Sequence, residues 1–288
     1  MAITTPFFVS IISTKKEKEV FKVNERVVLI TGCSSGVGRS LCNELMEKGY
    51  RVVASARKLK SIEDLQVDMS VELDVTDNKS IAYAINMIVE KFGHLDILVN
   101  NAGYSVRSAI EEMNMDETKN MFDVNVYGVL RMIQAVVPYM REQHSGKIMN
   151  IGSISGKLTG LINGGYCASK HAVEAITEAA RYELREYGIQ VTVVEPGAME
   201  TEFFYKLSIN SDKRMNNEIS PYFHLYQRDL KYRKNQNRAN VEESVKQISK
   251  IINKKKWKVR YTISLSFIYS LLIRLPDNLK ENLILKFN

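Results

Sequence analysis

The chain contains little cysteine, and its cysteines fit no metal site. The 288 residues include three cysteines whose spacing matches no metal-binding pattern and which cannot all pair, namely Cys33, Cys42 and Cys167. We therefore expect no metal, no structural disulfide framework and a reduced, cytoplasmic location.

Sequences that direct a chain into or across a membrane are also lacking. The apolar patch at residues 7–12 has no Lys or Arg before it and no small-residue cleavage pattern behind it, so it is a poor signal peptide. The apolar run at residues 263–275 is too short to span a bilayer and contains Arg274. Both stretches are expected to be soluble or, at most, to lie at a membrane interface.

Internal repeats and linkers are absent as well, and the composition, 45% hydrophobic and 25% charged, is that of a globular protein. We predict an N-terminal extension at residues 1–24 and one domain at residues 25–288. Within this domain, residues 201–240 form a substrate lid, and residues 241–288 form C-terminal helices and the last strand.

Positive charge is concentrated in one segment. The formal net charge is +7, and residues 213–260 hold 14 Lys or Arg against 4 Asp or Glu. Such a segment suits an anionic membrane surface, and a solvated face explains it equally well. No nucleic-acid reading motif accompanies the charge, so we expect no nucleic-acid partner.

Short apolar runs alternate with helical periodicity six times along the chain. Strands are predicted at residues 26–31, 51–55, 71–75, 95–99, 147–151, 190–195 and 258–262, and long helices at residues 77–92, 116–142 and 166–187. This alternation predicts an α/β fold, a doubly wound Rossmann-type parallel seven-stranded sheet with helices on both faces. Ligands of such sheets bind at the carboxyl ends of the strands.

A glycine-rich turn joins the first strand to a helix. Close approach of its backbone and the positive end of the helix dipole suit a pyrophosphate, and its residues are Gly32, Ser34, Ser35, Gly36, Val37 and Gly38.

The second strand lacks the acid that NAD-binding folds usually place at its end. Arg57 stands there instead, helped by Ser35 and Arg39, and can bind a 2′-phosphate bidentately, so NADP(H) is preferred and NAD(H) is the alternative.

Residues after the third and fourth strands complete the predicted nucleotide site. Asp74, beside Val75, could accept from an adenine amine or cap the following helix. Asn101, Ala102 and Gly103 are small enough for a cofactor to pack against the strand end.

Candidate catalytic residues follow the fifth strand. Tyr166 and Lys170 are four residues apart on one helix face, and a nearby cation would lower the pKa of the phenol, making it a usable acid and base. Ser153 would supply a hydroxyl at the strand end. Because the chain has 14 Tyr and 25 Lys, about one Tyr-x-x-x-Lys is expected by chance. Asn125 alone reads as a satisfied buried amide.

Taken together, these motifs resemble those of the short-chain dehydrogenase/reductase family over residues 25–201. The matching residues are Thr31-Gly32-x-x-x-Gly36-x-Gly38, Asp74, Asn100-Asn101-Ala102-Gly103, Asn125, Ser153, Tyr166-x-x-x-Lys170 and Pro196-Gly197-x-x-x-Thr201. The pattern looks most like the branch that holds hydroxysteroid and retinol dehydrogenases.

The resemblance implies a role for each motif residue. Tyr166 would be the general acid and base, and Lys170 would lower its pKa and hold the nicotinamide ribose. Ser153 would orient the substrate oxygen, and Asn125 would hold a water in the proton relay. Pro196, Gly197 and Thr201 would position the nicotinamide end. A homodimer or homotetramer formed through helices 116–142 and 166–187 is implied as well.

The expected activity is NADP(H)-dependent hydride transfer between nicotinamide and a carbonyl or an alcohol. An apolar small-molecule substrate, similar to a steroid, retinoid, lipid or ketone, is suggested by the aromatic residues of the lid, Phe203, Phe204, Tyr205, Tyr222, Phe223, Tyr226 and Tyr232. The alternative is a dinucleotide-binding redox sensor or interaction protein without turnover.

Overall fold

The computed structural model describes residues 25–203, 211 and 213–287. The predicted N-terminal extension lies outside these residues, and so do residues 204–210 and 212 of the predicted lid. The predicted sheet is confirmed: seven parallel strands in the order β3-β2-β1-β4-β5-β6-β7. The strands are β1 (Val27–Ile30), β2 (Arg51–Ala56), β3 (Met69–Glu72), β4 (Ile97–Asn100), β5 (Gly146–Ile151), β6 (Ile189–Pro196) and β7 (Arg260–Ile263).

Helices cover both faces of the sheet. They are α1 (Gly36–Glu47), α2 (Asn78–Phe92), α3 (Met115–Phe122), α4 (Gly128–Glu142), α5 (Gly164–Glu183), α6 (Phe223–Asn235), α7 (Val241–Ile252), α8 (Phe267–Leu272) and α9 (Asp277–Phe287). Short 3-10 turns occupy Leu59–Ser61, Ile154–Gly156 and Arg185–Tyr187. Among the described residues, every helix is too short or too polar to cross a membrane.

The central strands are apolar on both faces because each face is covered. All four residues of β1 are fully buried, and they divide between two cores. Val27 and Leu29 pack with α2, α4 and α5, whereas Val28 and Ile30 pack with α1 and α7. This double burial is why the strand is a continuous apolar run rather than an alternating one.

The predicted long helix at residues 116–142 is interrupted. A π-helical turn, Asp123–Tyr127, separates α3 from α4 and contains the buried Asn125. Apolar periodicity continues through this turn, so the sequence pattern did not reveal it. Such turns occur frequently at functional sites, where they redirect a side chain.

The segment between β6 and α7 leaves the sheet and returns to it. Its two ends meet where the Glu200 amide donates to the Ala239 carbonyl and the Ala239 amide donates to the Ala198 carbonyl. Within the segment, α6 packs on residues 107–117 through the buried Tyr226, whose hydroxyl donates to Glu112 (2.6 Å) and accepts from the Ala109 amide (3.0 Å).

Candidate active site

One cavity of about 1280 Å³ opens at the carboxyl ends of the strands. Of the sequence-predicted site residues, all but Gly38 and Asn125 line it. A volume of this size exceeds that of an ordinary single-ligand pocket and leaves room for a dinucleotide and a second small molecule.

The glycine-rich turn lets the β1 end lie against the segment after β4. Gly32 has φ +73°, and a Cβ there would lie 2.9 Å from the Ala102 Cα. The following helix α1 begins without a side-chain cap from Ser35 and without an acid in its first turn. Its first amides therefore face the cavity with their positive charge uncompensated, as a pyrophosphate requires.

Thr31, which the sequence analysis did not assign to the site, holds this end of the cavity in shape. Its Oγ1 accepts from the amides of Asn101 (3.0 Å) and Ala102 (3.1 Å), and the Asn101 carboxamide donates to the Thr31 carbonyl (2.9 Å). Gly38 lies directly behind, since a Cβ on it would come within 2.6 Å of the Gly32 carbonyl oxygen.

The exposed Arg57 lines the cavity and has no carboxylate within 4 Å among the described residues. Its charge is thus available for a ligand. Arg39, expected to assist it, instead binds Asp64 and the Ser61 carbonyl. A contribution of Arg39 to the same phosphate stays a prediction, and it would require Arg39 to leave Asp64.

Asp74 lies just beyond β3 on the cavity wall. Its Oδ1 accepts from the amide (2.9 Å) and hydroxyl (2.8 Å) of Thr76, which turns the chain towards α2. Asp77, not Asp74, caps that helix by accepting from the Lys79 amide. Of the two roles open for Asp74, the helix cap is excluded.

Three of the four predicted catalytic side chains meet on the cavity wall. Ser153 follows β5 and accepts from the Ser155 amide (3.1 Å), and its hydroxyl is near enough to the buried Tyr166 to lower the pKa of the phenol. One turn along α5, Lys170 Nζ lies 5.8 Å from the Tyr166 ring centroid and donates to the Ile151 carbonyl (2.8 Å). The strand end and the helix thus place a hydroxyl, a phenol and an ammonium together.

Burial is the largest influence on the pKa values of Tyr166 and Lys170. It raises the pKa of Tyr166 to about 12, against the smaller lowering effects of the nearby Ser153 hydroxyl and of the Arg107 charge. Burial also lowers the pKa of Lys170 to about 8, with Glu174 acting in the opposite direction. The prediction that Lys170 brings the pKa of Tyr166 towards neutrality is therefore wrong in this structure. At pH 7 the phenol holds its proton and most of the lysine is charged.

Asn125 does not reach the cavity surface. Its Oδ1 accepts from the Tyr104 amide (3.0 Å), and its Nδ2 donates to the Tyr104 carbonyl (2.8 Å) and to Ser169 Oγ (3.2 Å). The π-helical turn thereby fixes the backbone that follows the Asn101-Ala102-Gly103 segment. If Asn125 holds a water in a proton relay, the water can bind only its backbone carbonyl or the second lone pair of Oδ1.

The other end of the cavity combines two aromatic residues of the predicted lid, Phe203 and Tyr232, with residues that had not been predicted. The ring centroid of Phe203 lies 5.9 Å from that of Tyr166, and the hydroxyl of Tyr232, on α6, contacts the hydroxyl of Tyr269, on α8. Charged groups lie here too: Arg107 and Asp229 both line the wall. Only the aromatic composition of residues 201–240 hinted at this end; Arg107, Asp229 and Tyr269 had no local signal.

Comparison with known proteins agrees with this geometry. Residues 26–212 match the family model of the short chain dehydrogenases. The chain is 40% identical over 209 residues to an uncharacterised oxidoreductase of Staphylococcus saprophyticus, covering 70% of this chain and 84% of that protein. It is 35% identical over 198 residues to the 3-ketodihydrosphingosine reductase of Bacteroides thetaiotaomicron, covering 69% and 73%.

Among solved structures, that of ElxO with NADP bound superimposes with a TM-score of 0.68 at 27% identity, covering 83% of this chain and 96% of that one.

Proposed function

Because the chain belongs to the short-chain dehydrogenase family and is an NAD(P)-dependent oxidoreductase, we propose that it is an NADP(H)-dependent reductase of carbonyl groups on largely apolar molecules. The observation that carries this proposal is the meeting of Ser153, Tyr166 and Lys170 on the wall of a cavity that also contains the glycine-rich turn.

The cofactor assignment fits the chain's own residues. Gly32, Gly36 and the first amides of α1 would hold the pyrophosphate, and Asp74, with Val75, would lie beside the adenine. Arg57 would bind the 2′-phosphate, because it is a cation that no described carboxylate neutralises. Lys170, Pro196, Gly197 and Thr201 would hold the nicotinamide end. When bound, the nicotinamide supplies the hydride.

The protein's residues supply the proton and its placement. Ser153 donates a hydrogen bond to the substrate oxygen and holds it beside the Tyr166 hydroxyl. Since the pKa of Tyr166 is about 12, the phenol is fully protonated at neutral pH and can donate to the oxygen as negative charge develops on it. The ammonium of Lys170 then stabilises the phenolate.

Replacing Tyr166 by Phe tests the reaction. We expect the rate of carbonyl reduction to fall by about 1000-fold, since the proton donor is lost, while NADPH affinity changes by less than about threefold. Absorbance loss of NADPH with a panel of ketosteroids, retinal, 3-ketoacyl thioesters and aliphatic ketones measures the rate. Tyr182→Phe, an exposed position on the same helix, is the matched control. A Tyr166→Phe enzyme that keeps a tenth of the rate would remove the assignment.

Replacing Arg57 by Ala tests the cofactor preference. Loss of a charge-assisted contact worth about 2 kcal/mol predicts roughly 30-fold weaker NADPH binding. NADH binding should change by less than about threefold, because NADH lacks the phosphate. Titration calorimetry with both cofactors measures this, and the neighbouring exposed Lys58→Ala is the control. Equal losses for both cofactors would show that Arg57 does not bind the phosphate.

A homodimer or homotetramer through α3, α4 and α5 is part of the proposal. Two exposed tyrosines support it, Tyr127 in the π-helical turn between α3 and α4 and Tyr182 on α5. Light scattering on the purified protein would decide the oligomeric state, and a monomer at micromolar concentration would exclude it.

Docking of the basic segment on an anionic membrane is also a proposal. Part of the segment's charge is used internally, since Arg214 binds Glu117 and Arg260 lies near Glu174 and Glu195. Cosedimentation with anionic vesicles that falls with added salt would support docking, and its absence would exclude docking.

A further inference from the structure

Two glycines leave a space beside Lys170 that a buried carboxylate fills. Glu174 follows Lys170 by one turn of α5, and its side chain is only 7% exposed. A Cβ on Gly152 would lie 3.3 Å from Glu174 Oε1, and a Cβ on Gly156 would lie 3.1 Å from its Cγ. A side chain at either glycine would therefore crowd this carboxylate. None of the proposed steps of the reaction uses Glu174.

The end of β5 contacts both the carboxylate and the ammonium of Lys170. Lys170 Nζ donates to the Ile151 carbonyl (2.8 Å), and the next residue, Gly152, is the one that lies against Glu174 Oε1. Because Lys170 and Glu174 are four residues apart, their side chains stand on the same face of α5. Burial lowers the pKa of Lys170 to about 8, and the charge of Glu174 acts against burial by raising it.

The other charged groups around Glu174 come from four places in the fold: Lys157 after the 3-10 turn, Glu195 on β6, Arg260 on β7 and Glu178 on α5. Lys157 Nζ lies 3.2 Å and Arg260 NH2 lies 3.5 Å from Glu174 Oε2. The same two cations lie 3.9 Å and 3.5 Å from Glu195 Oε1, and Arg260 also pairs with Glu178. Both cations thus approach Oε2 of Glu174, whereas its Oε1 lies against β5.

Hydrogen bonding does not explain why these carboxylates are buried. Among the described residues, both oxygens of Glu174 and Oε1 of Glu195 have no hydrogen-bond donor. Burying a carboxylate without hydrogen bonds is costly even when cations lie nearby. Stability alone therefore does not favour Glu174 at this position, and the group it adjoins on α5 is Lys170.

The order of titration suits a role for Glu174 in supporting that charge. Burial and the like charge of Glu195 raise the pKa of Glu174 to about 7, against the lowering effects of Lys157 and Arg260. As the pH rises, Glu174 therefore becomes negative near pH 7, before Lys170 loses its proton near pH 8.

We propose that Glu174 is a positioning residue that acts through Lys170 and keeps its ammonium charged beside Tyr166 above neutral pH, which rests on the reaction proposed above. With the ammonium retained, the phenolate that forms when Tyr166 gives up its proton is stabilised. Without this carboxylate, Lys170 would lose its proton at lower pH, and the phenolate would form beside a neutral amine.

A different role for the same charges would be to fasten β6 and β7 onto α5. In that case the loss of Glu174 would loosen the structure and lower the rate by the same factor at every pH. If Glu174 acts through Lys170, the loss appears only where Lys170 would otherwise be charged by virtue of Glu174, on the alkaline side.

The first test measures the titration of Lys170 directly, in the full chain labelled with ¹³C-lysine and without added cofactor. The Cε resonance of Lys170 is followed by NMR against pH and is identified by its absence from Lys170→Arg. In Glu174→Gln we expect its midpoint to fall by roughly half a pH unit, because a nearby negative charge is lost. Glu174→Asp, which keeps a carboxylate, and the control Glu178→Gln should both stay within about 0.2 pH unit of the natural chain.

The second test measures kcat of carbonyl reduction against pH. The same shift predicts that kcat of Glu174→Gln falls by about two- to threefold at pH 8.5 and by less than about 1.5-fold at pH 6.5. Glu178→Gln should follow the natural chain at both pH values.

An unchanged midpoint of Lys170 in Glu174→Gln would overturn the proposal, and so would a Glu174→Asp protein with the full shift of Glu174→Gln. An equal fall of kcat at both pH values with an unchanged midpoint would assign the charges to fastening β6 and β7. A natural chain without turnover at any pH would count against the reductase, whereas the NMR titration would still decide whether Glu174 supports the charge of Lys170.

If Glu174→Gln does not fold, the same coupling can be measured from the other side, because it is reciprocal. In Lys170→Gln the midpoint of Glu174, followed through the carboxyl carbon of ¹³C-glutamate, should rise by roughly half a pH unit. An unchanged midpoint of Glu174 there would also contradict the proposal.

Discussion

The two ends of the cavity are built in different ways. At the nucleotide end, backbone lies directly on backbone: the turn at Gly32 and Gly36 approaches the segment after β4, held by Thr31. At the substrate end, side chains from distant segments meet, as when Arg107 pairs with Asp229, 122 residues away. The shape of the nucleotide end therefore depends on the absence of side chains at glycines, whereas the shape of the substrate end depends on which side chains pair with each other.

The largest expected difference between the two ends is in NADPH affinity, when one methyl group is added to a glycine at each end. In Gly38→Ala the new Cβ would lie 2.6 Å from the Gly32 carbonyl oxygen, so the turn must move, and we expect NADPH affinity to fall by roughly 100-fold. In Gly160→Ala, at the substrate end, the new Cβ meets nothing within 4 Å, and NADPH affinity should stay within about twofold. Fluorescence titration with NADPH measures both. Similar losses in the two variants would erase the distinction between the ends.

The second difference concerns the residue that links the two ends. Asn125 binds both backbone groups of Tyr104, between Gly103 and Arg107. Asn125→Ala leaves both backbone groups of Tyr104 without this partner, although Ser169 still donates to the Tyr166 carbonyl, and it should lower the free energy of unfolding by about 2–3 kcal/mol. Asn235→Ala, an exposed amide that lines the substrate end, should change it by less than about 0.5 kcal/mol. Urea unfolding measures the free energy of unfolding of both variants. An Asn125→Ala protein as stable as the natural chain would show that the hydrogen bonds of Asn125 to Tyr104 are dispensable.

The smallest expected effect is on the pH dependence of stability, and it concerns the charge cluster around Glu174. Behind α5, the buried Glu174 and Glu195 lie among Lys157 and Arg260, and burial with the like charge of Glu195 raises the pKa of Glu174 to about 7. A raised folded pKa means that the stabilisation is present below the ordinary value near 4.5 and is lost as pH rises through about 7.

Glu174→Gln removes this titration and should be about 1–2 kcal/mol more stable than the natural chain at pH 8, relative to their difference at pH 5. Melting temperatures at both pH values measure this. Glu178→Gln, a partly exposed neighbour of the same Arg260, is the control and should show almost no pH-dependent difference. A pH-independent effect of Glu174→Gln would show that the raised pKa of Glu174 does not govern stability.

Several features followed directly from the sequence. Continuous apolar runs predicted buried parallel strands, and the confirmed parallel sheet brings the residues after β1, β2, β4 and β5 to one edge. Tyr166 and Lys170 share a helix face because they are four residues apart. These predictions succeeded because strand and helix periodicity are local and the carboxyl ends of parallel strands coincide.

Other features were decided only by the tertiary structure. Periodicity did not show the π-helical turn at Asn125, because apolar residues continue through it. Burial, and not the charge of Lys170, sets the direction in which the pKa of Tyr166 moves, and a spacing of four residues does not report burial.

The sheet, the glycine-rich turn and the helix face that carries Tyr166 and Lys170 follow from the amino-acid sequence, since each depends on the geometry of consecutive residues. That Asp229 lies near both Arg107 and Arg233, and Glu174 near Glu195, follows from the packing of the folded chain. The partners of a buried charge are set by how loops and helices far apart in the chain pack together, and no local pattern records that choice.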